Sequence, residues 1–345
     1  MKPAKAGAAD ARTPVHVLTG FLGSGKTTLL RHLLADPALA DTAVIINEFG
    51  EVGLDQLLVR EVAEDVVLLS SGCLCCSVRD DLLSTLADLD RMMRDGVIPP
   101  FSRAVVETTG LADPAPIMQA ILSDRRLALR YRLGLIITAV DGLNGAATLA
   151  AHREARQQLA MADRLVVTKS DLIAAPTCDA LVDKLVALNP AATVRISGED
   201  QSAASDVLAE ADATWQRPAR SRIEASGRGS HDHGPRGTHV HDGSIGSFTV
   251  HLREPVVWGA FVEWLELLLA SRGDSILRVK GLLAVVGDDR PVVVQGVQHV
   301  LYPPEHLPAW PESSRPGGWI VFIARDLTQA AIEASLRSLT APSLA

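Results

Sequence analysis

Between Val15 and about Ile196, short apolar runs rich in Val and Ile alternate with longer amphipathic stretches. Short runs of that kind read as strands covered on both faces, and the longer stretches as helices laid over them. This is the signature of βαβ units and a mostly parallel sheet. The pattern predicts strands over Val15–Thr19, Ala43–Asn47, Val66–Leu69, Arg103–Thr108, Leu133–Val140, Arg164–Thr168 and Thr193–Ile196. It predicts helices over Thr27–Ala35, Val78–Arg94, Pro114–Leu122, Ala146–Ala160 and Pro176–Leu188. Arg217–Gly246 then loses apolar periodicity and fills with Gly, Ser, Arg and His, as a linker does. Beyond it, Ser247–His251, Pro255–Ala270, Ile276–Val286, Pro291–His299, Trp319–Ala324 and Leu327–Leu339 read as β, α, β, β, β, α. The expected organisation is a flexible tail (1–13), an α/β domain (14–215), a His-rich linker (216–246) and a small α+β domain (247–340).

Composition narrows the function. The chain has 345 residues, 47% of them hydrophobic and 21% charged, which suits a globular protein with more than one core. Lys and Arg total 33 against 41 Asp and Glu, a net charge of −8, and aromatic residues make up only 4%. With no basic field and few stacking platforms, nucleic acid is not the expected ligand. The apolar run Leu133–Val140 is too short to span a bilayer, the run around Trp264 is broken by Glu263 and Glu266, and the N-terminus lacks an apolar signal region. Four cysteines are too few for a disulfide scaffold, and three fall within four residues, at Cys73, Cys75 and Cys76. A reduced, cytoplasmic protein without membrane association is expected.

Residues 20–27, Gly-Phe-Leu-Gly-Ser-Gly-Lys-Thr, follow a predicted strand and open a predicted helix. The spacing G-x-x-x-x-G-K-T in that context marks a phosphate-binding loop. Gly20, Gly23 and Gly25 allow tight turns that aim N–H groups at phosphate oxygens. The helix N-terminus adds its positive dipole end, Lys26 a point charge, and Thr27 a hydroxyl for Mg²⁺. Ser24 and Thr28 belong to the same nucleotide-binding stretch. Downstream, Thr168-Lys169-Ser170-Asp171 follows the strand Arg164–Thr168. A carboxylate at Asp171 can accept from guanine's N1–H and exocyclic amine, whereas adenine would set a lone pair against it, so GTP is favoured. Thr168, with Lys169 beside it, stands where guanine signatures carry Asn, the residue that ties the base to the phosphate loop. Val105-Val106-Glu107-Thr108-Thr109-Gly110 places a carboxylate at a strand tip. Glu107 can orient Mg²⁺-bound or attacking water, and Gly110 lets the backbone approach a γ-phosphate. Lys26, Glu107 and Gly110 are therefore the candidate catalytic set.

Gly72-Cys73-Leu74-Cys75-Cys76-Ser77 lies between a strand and a helix. Thiolates are soft ligands for Zn²⁺ or Cu⁺, and C-x-C-C brings three sulfurs within reach of one ion. Small buried hydrophobes or a redox pair are the competing readings. His231, His233, His239 and His241 form His-x-His pairs in the linker, suited to loose chelation of Zn²⁺, Ni²⁺ or Co²⁺, or simply to a solvated spacer. His16 and His32 read as packing or surface residues.

Taken together, GFLGSGKTT, Asn47-Glu48-Phe49-Gly50-Glu51-Val52-Gly53, GCLCCS, VVETTGLADP, TKSDL, Arg278-Val279-Lys280-Gly281-Leu282 and Gln295-Gly296-Val297-Gln298-His299 resemble the CobW-type P-loop GTPases over nearly the whole chain. The resemblance implies a P-loop GTPase domain followed by a small CobW C-terminal domain. It also implies slow hydrolysis of GTP to GDP and phosphate, coupled to delivery of zinc or cobalt to a client metalloprotein. The family's metal site carries over to Cys73, Cys75, Cys76 and Glu51. Some relatives have a further Glu before the Asn of that loop. Ile46 stands there here, which favours thiolate ligation and Zn²⁺ over Co²⁺. The stretch from Glu48 to Asp55, with Asp55 facing the nucleotide, would act as the switch between phosphate loop and thiols. The C-terminal domain is expected to meet the client, and a homodimer is left open. Two other roles stay open: a metal buffer or sensor with nucleotide as a structural ligand, and a dedicated activator of one metalloenzyme of the nitrile hydratase or cobalamin-synthesis type.

Overall fold

The computed structural model describes residues 12–46, 68–70, 78–124, 127–197, 203–208, 245–311 and 317–340, which fall into two compact units. The first is built on seven strands: β1 (Thr13–Thr19), β2 (Thr42–Ile46), β3 (Leu68–Ser70), β4 (Arg103–Glu107), β5 (Tyr131–Asp141), β6 (Arg164–Thr168) and β7 (Thr193–Ile196). They lie in the order β3-β2-β4-β1-β5-β6-β7, and each pairing is parallel. Every residue of β2 and of β6 is buried, as strands covered on both faces require. The helices are α1 (Lys26–Leu34), α2 (Val78–Arg94), α3 (Ala115–Ser123), α4 (Gly145–Ala151), α5 (Arg153–Met161), α6 (Ala175–Leu188) and α7 (Ala203–Leu208). Leu29, Leu30, Leu33 and Leu34 of α1 meet Val44, Ile46, Val105, Ile137 and Val166 of the strands in one cluster. Because β1 sits between β4 and β5, the loops leaving β1, β4, β5 and β6 gather at one sheet edge, where open α/β sheets bind ligands.

Three details depart from the sequence expectation. The helix expected over Ala146–Ala160 is two helices, interrupted at His152, which is extended (φ −112°, ψ 124°) and flanks both. No Gly or Pro stands at the break, so the residues alone gave no signal. The short helix α7 was not expected; its Val207 and Leu208 close the cluster around α1. β1 and β5 slip register between Val15 and Val17. His16 fills that irregularity, buried, with its Nδ1 accepting from Leu135 N–H at 3.0 Å. The ring lies against Gly134, where an added Cβ would come within 2.7 Å of Nδ1. His16 is a packing residue, as its place on a strand implied, and His32 is exposed on α1.

The second unit contains β8 (Ile245–His251), α8 (Trp258–Arg272), β9 (Ile276–Val285), β10 (Asp288–Val297), β11 (Val300–Leu301), β12 (Glu305–His306), β13 (Gly318–Arg325) and α9 (Gln329–Thr340). Its antiparallel sheet runs β11-β10-β9-β13-β8, with β12 also pairing β10. Phe261, Trp264, Leu265 and Leu269 of α8 and Ile332 and Leu336 of α9 cover Val279, Leu283, Val292, Val294, Ile320 and Phe322. Trp264 Nε1 donates to Ser335 Oγ at 3.1 Å, joining the two helices. β10 begins three residues before the expected Pro291, directly after Val286–Gly287, a two-residue turn in which Gly287 takes φ +83°. The ladder is irregular between Asp288 and Val292, where proline offers no N–H. Among the described residues, no helix is long and apolar enough to cross a membrane.

The wedge at Gly134 is testable. Gly134→Ala forces a methyl into a ring that is itself hydrogen-bonded, so urea unfolding is expected to show a loss of about 1–3 kcal/mol. Gly259→Ala, where nothing lies within 4 Å of the new Cβ, serves as the control and is expected to leave stability unchanged or slightly raised.

Candidate functional site

The phosphate loop is shaped by close backbone approach. Gly20 has φ +145°, and a Cβ there would lie 2.5 Å from Ala139 O of β5. Gly25 takes φ 84° as the N-terminal flank of α1, which leaves the first-turn amides of α1 facing the loop. Lys26 Nζ donates to Gly20 O at 3.0 Å and to Phe21 O at 3.3 Å, so the ammonium rests over the loop itself. Thr27 Oγ1 donates to Glu107 Oε1 at 2.9 Å, which sets a hydroxyl against a buried carboxylate at the end of β4. Two further contacts bind β1 to β4: Thr108 N–H to Leu18 O at 2.9 Å, and Thr108 Oγ1 to Thr19 Oγ1 at 2.8 Å. At Gly110 a Cβ would fall 2.7 Å from Leu22 N and 2.8 Å from Leu22 Cα, so the freedom of this glycine is spent on approach to the phosphate loop. Thr28 is exposed on α1.

Thr168 and Lys169, at the end of β6, converge on the same loop. Thr168 Oγ1 donates to Ser24 O at 2.7 Å and approaches Val140 O at 3.2 Å. A threonine thus makes the tie to the phosphate loop expected of asparagine. Lys169, in the left-handed region (φ 53°), donates through Nζ to Gly23 O at 2.8 Å and to Asp141 Oδ2 at 2.7 Å. Burial alone would raise the Asp141 carboxyl. Lys169 and the N–H groups of Leu143 and Asn144 more than offset it and hold the group below the usual carboxylate range. Asp171 is exposed in the short 3₁₀ turn Ser170–Leu172. Ser170 Oγ donates to Ser197 O, and Ser197 N–H to Val167 O at 2.8 Å, so the end of β7 braces this turn.

Three residues that the sequence did not single out are part of this assembly. Asp141 anchors Lys169; its one legible signal is a carboxylate closing the apolar run of β5. Ser197 braces the turn and carries no signal of its own. Gln158, fully buried on α5, donates through Nε2 to Gly110 O at 3.1 Å and to Ala112 O at 3.0 Å. In the sequence it is one polar residue on an amphipathic helix.

The expected metal ligands Cys73, Cys75, Cys76 and Glu51, the switch residue Asp55, and His231, His233, His239 and His241 all lie outside the described residues. Among the described residues, no group of three or more His, Cys, Asp or Glu is arranged to hold a metal ion. Ile46, where some relatives carry Glu, is buried in the core cluster around α1. Cys178 is a buried cysteine on α6.

Residues 14–195 match the family model "CobW/HypB/UreG, nucleotide-binding domain", and residues 245–340 match "Cobalamin synthesis protein cobW C-terminal domain". Zinc chaperone YjiA of Escherichia coli is 34% identical, the alignment covering 94% of this chain and 98% of that protein. Zinc chaperone CobW of Pseudomonas aeruginosa is 31% identical, over 96% and 92%. The crystal structure of the Zn(II)-bound YjiA GTPase superposes with a TM-score of 0.68 at 29% identity, over 95% of this chain and 99% of that one. A zinc-bound triple mutant of YjiA, with one glutamate and two cysteines replaced by alanine, gives 0.70 at 28% identity over the same shares. The chain belongs to the CobW family of P-loop GTPases, with the nucleotide-binding domain preceding the CobW C-terminal domain.

Proposed function

We propose that this chain is a GTP-hydrolysing metal chaperone that carries zinc on Cys73, Cys75, Cys76 and Glu51 and passes it to a client metalloprotein. The observation that carries the nucleotide half is the pair of bonds from Thr168 to Ser24 O and from Lys169 to Gly23 O, which lock a guanine-selecting turn onto a phosphate loop. The metal half is supported by the two zinc chaperones spanning nearly the full chain and by the soft donor set of C-x-C-C.

In this reading the loop amides and Lys26 hold the phosphates, Lys26 exchanging the carbonyls of Gly20 and Phe21 for phosphate oxygens. Asp171 accepts from the guanine edge, and Lys169 lies beside the base while bracing Gly23. Thr27 and Glu107 offer two hard oxygen donors at a buried strand end, the chemistry Mg²⁺ prefers; the ion, when bound, would supply neutralisation of phosphate charge. Glu107 is then placed to orient the attacking water, and Gly110 to meet the γ-phosphate. The segment Glu48–Asp55 relays the state of the γ-phosphate to the thiols, and hydrolysis releases the metal to the client, recognised by the C-terminal domain.

Two outcomes are expected. Asp171→Asn replaces a double acceptor with a group that donates to an oxygen, so equilibrium binding of GTP falls about 10- to 100-fold while xanthosine triphosphate gains. Unchanged base preference would remove the guanine assignment. Metal-free and zinc-loaded chain are expected to differ in GTP turnover measured by phosphate release, and Cys75→Ser to abolish that difference. Turnover indifferent to both zinc and Cys75→Ser would leave a GTPase without metal coupling.

A further inference from the structure

The loop that begins at Gly110 approaches the phosphate loop at Leu22 and is also held by Gln158 of α5. Both N–H groups of that amide are committed to one short segment, Gly110 O at 3.1 Å and Ala112 O at 3.0 Å. The backbone carbonyl of Gln158 in turn accepts from Thr138 Oγ1 of β5 at 3.0 Å, so the helix carrying the amide is pinned to the sheet. The segment is a closed turn: Thr109 O accepts from Ala112 N–H at 3.1 Å and from Thr108 Oγ1 at 3.3 Å. A planar trans peptide sets the Gly110 N–H opposite the Thr109 carbonyl, so this N–H points out of the turn. The acceptor side of the amide is different. Gln158 Oε1 is buried and has no hydrogen-bond partner among the described residues. The side chain lines a cavity of about 200 Å³ shared with Phe21, Ser24, Thr138 and Ala155. A buried amide tied only through its donors to one short turn can travel with that turn without breaking a second bond.

We propose that Gln158 is a positioning residue for GTP hydrolysis: it carries the Gly110–Ala112 turn as one piece, so that the chain distinguishes a nucleotide with a γ-phosphate from one without. The inference rests on the GTPase reading above and deepens it. The γ-phosphate would be sensed on the helical side of the site as well as through Glu48–Asp55. Removing the two donors frees Gly110 and Ala112 from α5 while leaving Lys26, Lys169 and Thr168 in place, so contacts to a diphosphate are untouched.

The test uses the full chain carrying Gln158→Met, which keeps length and loses both donors, and Gln158→Glu, which keeps shape and turns the donor into an acceptor. At neutral pH each is expected to lower kcat for GTP about tenfold and to raise KM about five- to tenfold, because with slow hydrolysis KM follows the dissociation constant of the triphosphate. Binding of a non-hydrolysable GTP analogue is expected to weaken about five- to tenfold, while GDP affinity stays at the wild-type value. Wild-type kcat in both variants, with an unchanged analogue-to-GDP ratio, overturns the proposal. Equal loss of GDP and analogue binding also overturns it, by assigning Gln158 a merely structural part. Should either variant fail to fold, Thr138→Val, which unpins α5 from β5, must produce the same analogue-to-GDP split in a milder form. A wild-type chain that never hydrolyses GTP refutes the GTPase reading, whereas the analogue-to-GDP ratio still decides the role of Gln158.

Discussion

A phosphate loop must turn its amides inward, and each inward amide has a carbonyl that points outward and has to be satisfied. In this chain those carbonyls are taken one by one: Gly20 and Phe21 by Lys26, Gly23 by Lys169, Ser24 by Thr168. Because the peptide unit is planar and trans, fixing Ser24 O outward fixes the Gly25 N–H in the opposite sense, just where α1 begins. The turn after β6, proposed above to meet the base, therefore also helps to hold the phosphate loop in shape. That coupling is possible only because β1 and β6 both flank β5, which brings their carboxyl ends to the same edge.

The same economy is met by threonine at position 168. Asparagine would have two amide hydrogens to offer. A threonine hydroxyl has one, directed at Ser24 O with Val140 O near by. The tie that shapes the loop is kept. β-branched threonine also suits the last position of a fully buried strand, and Gly142 N–H takes the Thr168 carbonyl at 2.8 Å, so the residue serves strand and site together.

Much of the first unit was legible because its signals are local. A parallel strand covered on both faces is rich in Val, Ile and Leu, and the fully buried Arg164–Thr168 falls where that run placed it, as does the partly buried edge strand Thr193–Ile196. The phosphate loop, Glu107 and Lys169 could be found because their chemistry needs fixed residue types at fixed spacing. What escaped depends on distant partners. Asp141, Gln158 and Ser197 act through contacts 28, 46 to 48, and 27 residues away along the chain, and an isolated Asp, Gln or Ser announces none of these. The break at His152 escaped for a related reason: its ring stacks on Phe21 of the phosphate loop at 4.4 Å, a tertiary contact that overrides the helical tendency of the surrounding alanines. In the second unit, β11 and β12 escaped because two-residue strands have no periodicity to read.

Cys178 gives the molecule an internal clock. Its side chain is buried on α6, the helix that follows the turn carrying Lys169 and Asp171, so an alkylating reagent reaches it only when that helix opens. The labelling rate at this one position therefore reports the opening equilibrium of the helix that follows that turn. Nucleotide bound there would slow the clock in proportion to how firmly it holds α6 closed, giving a chemical measure of occupancy that needs neither turnover nor metal.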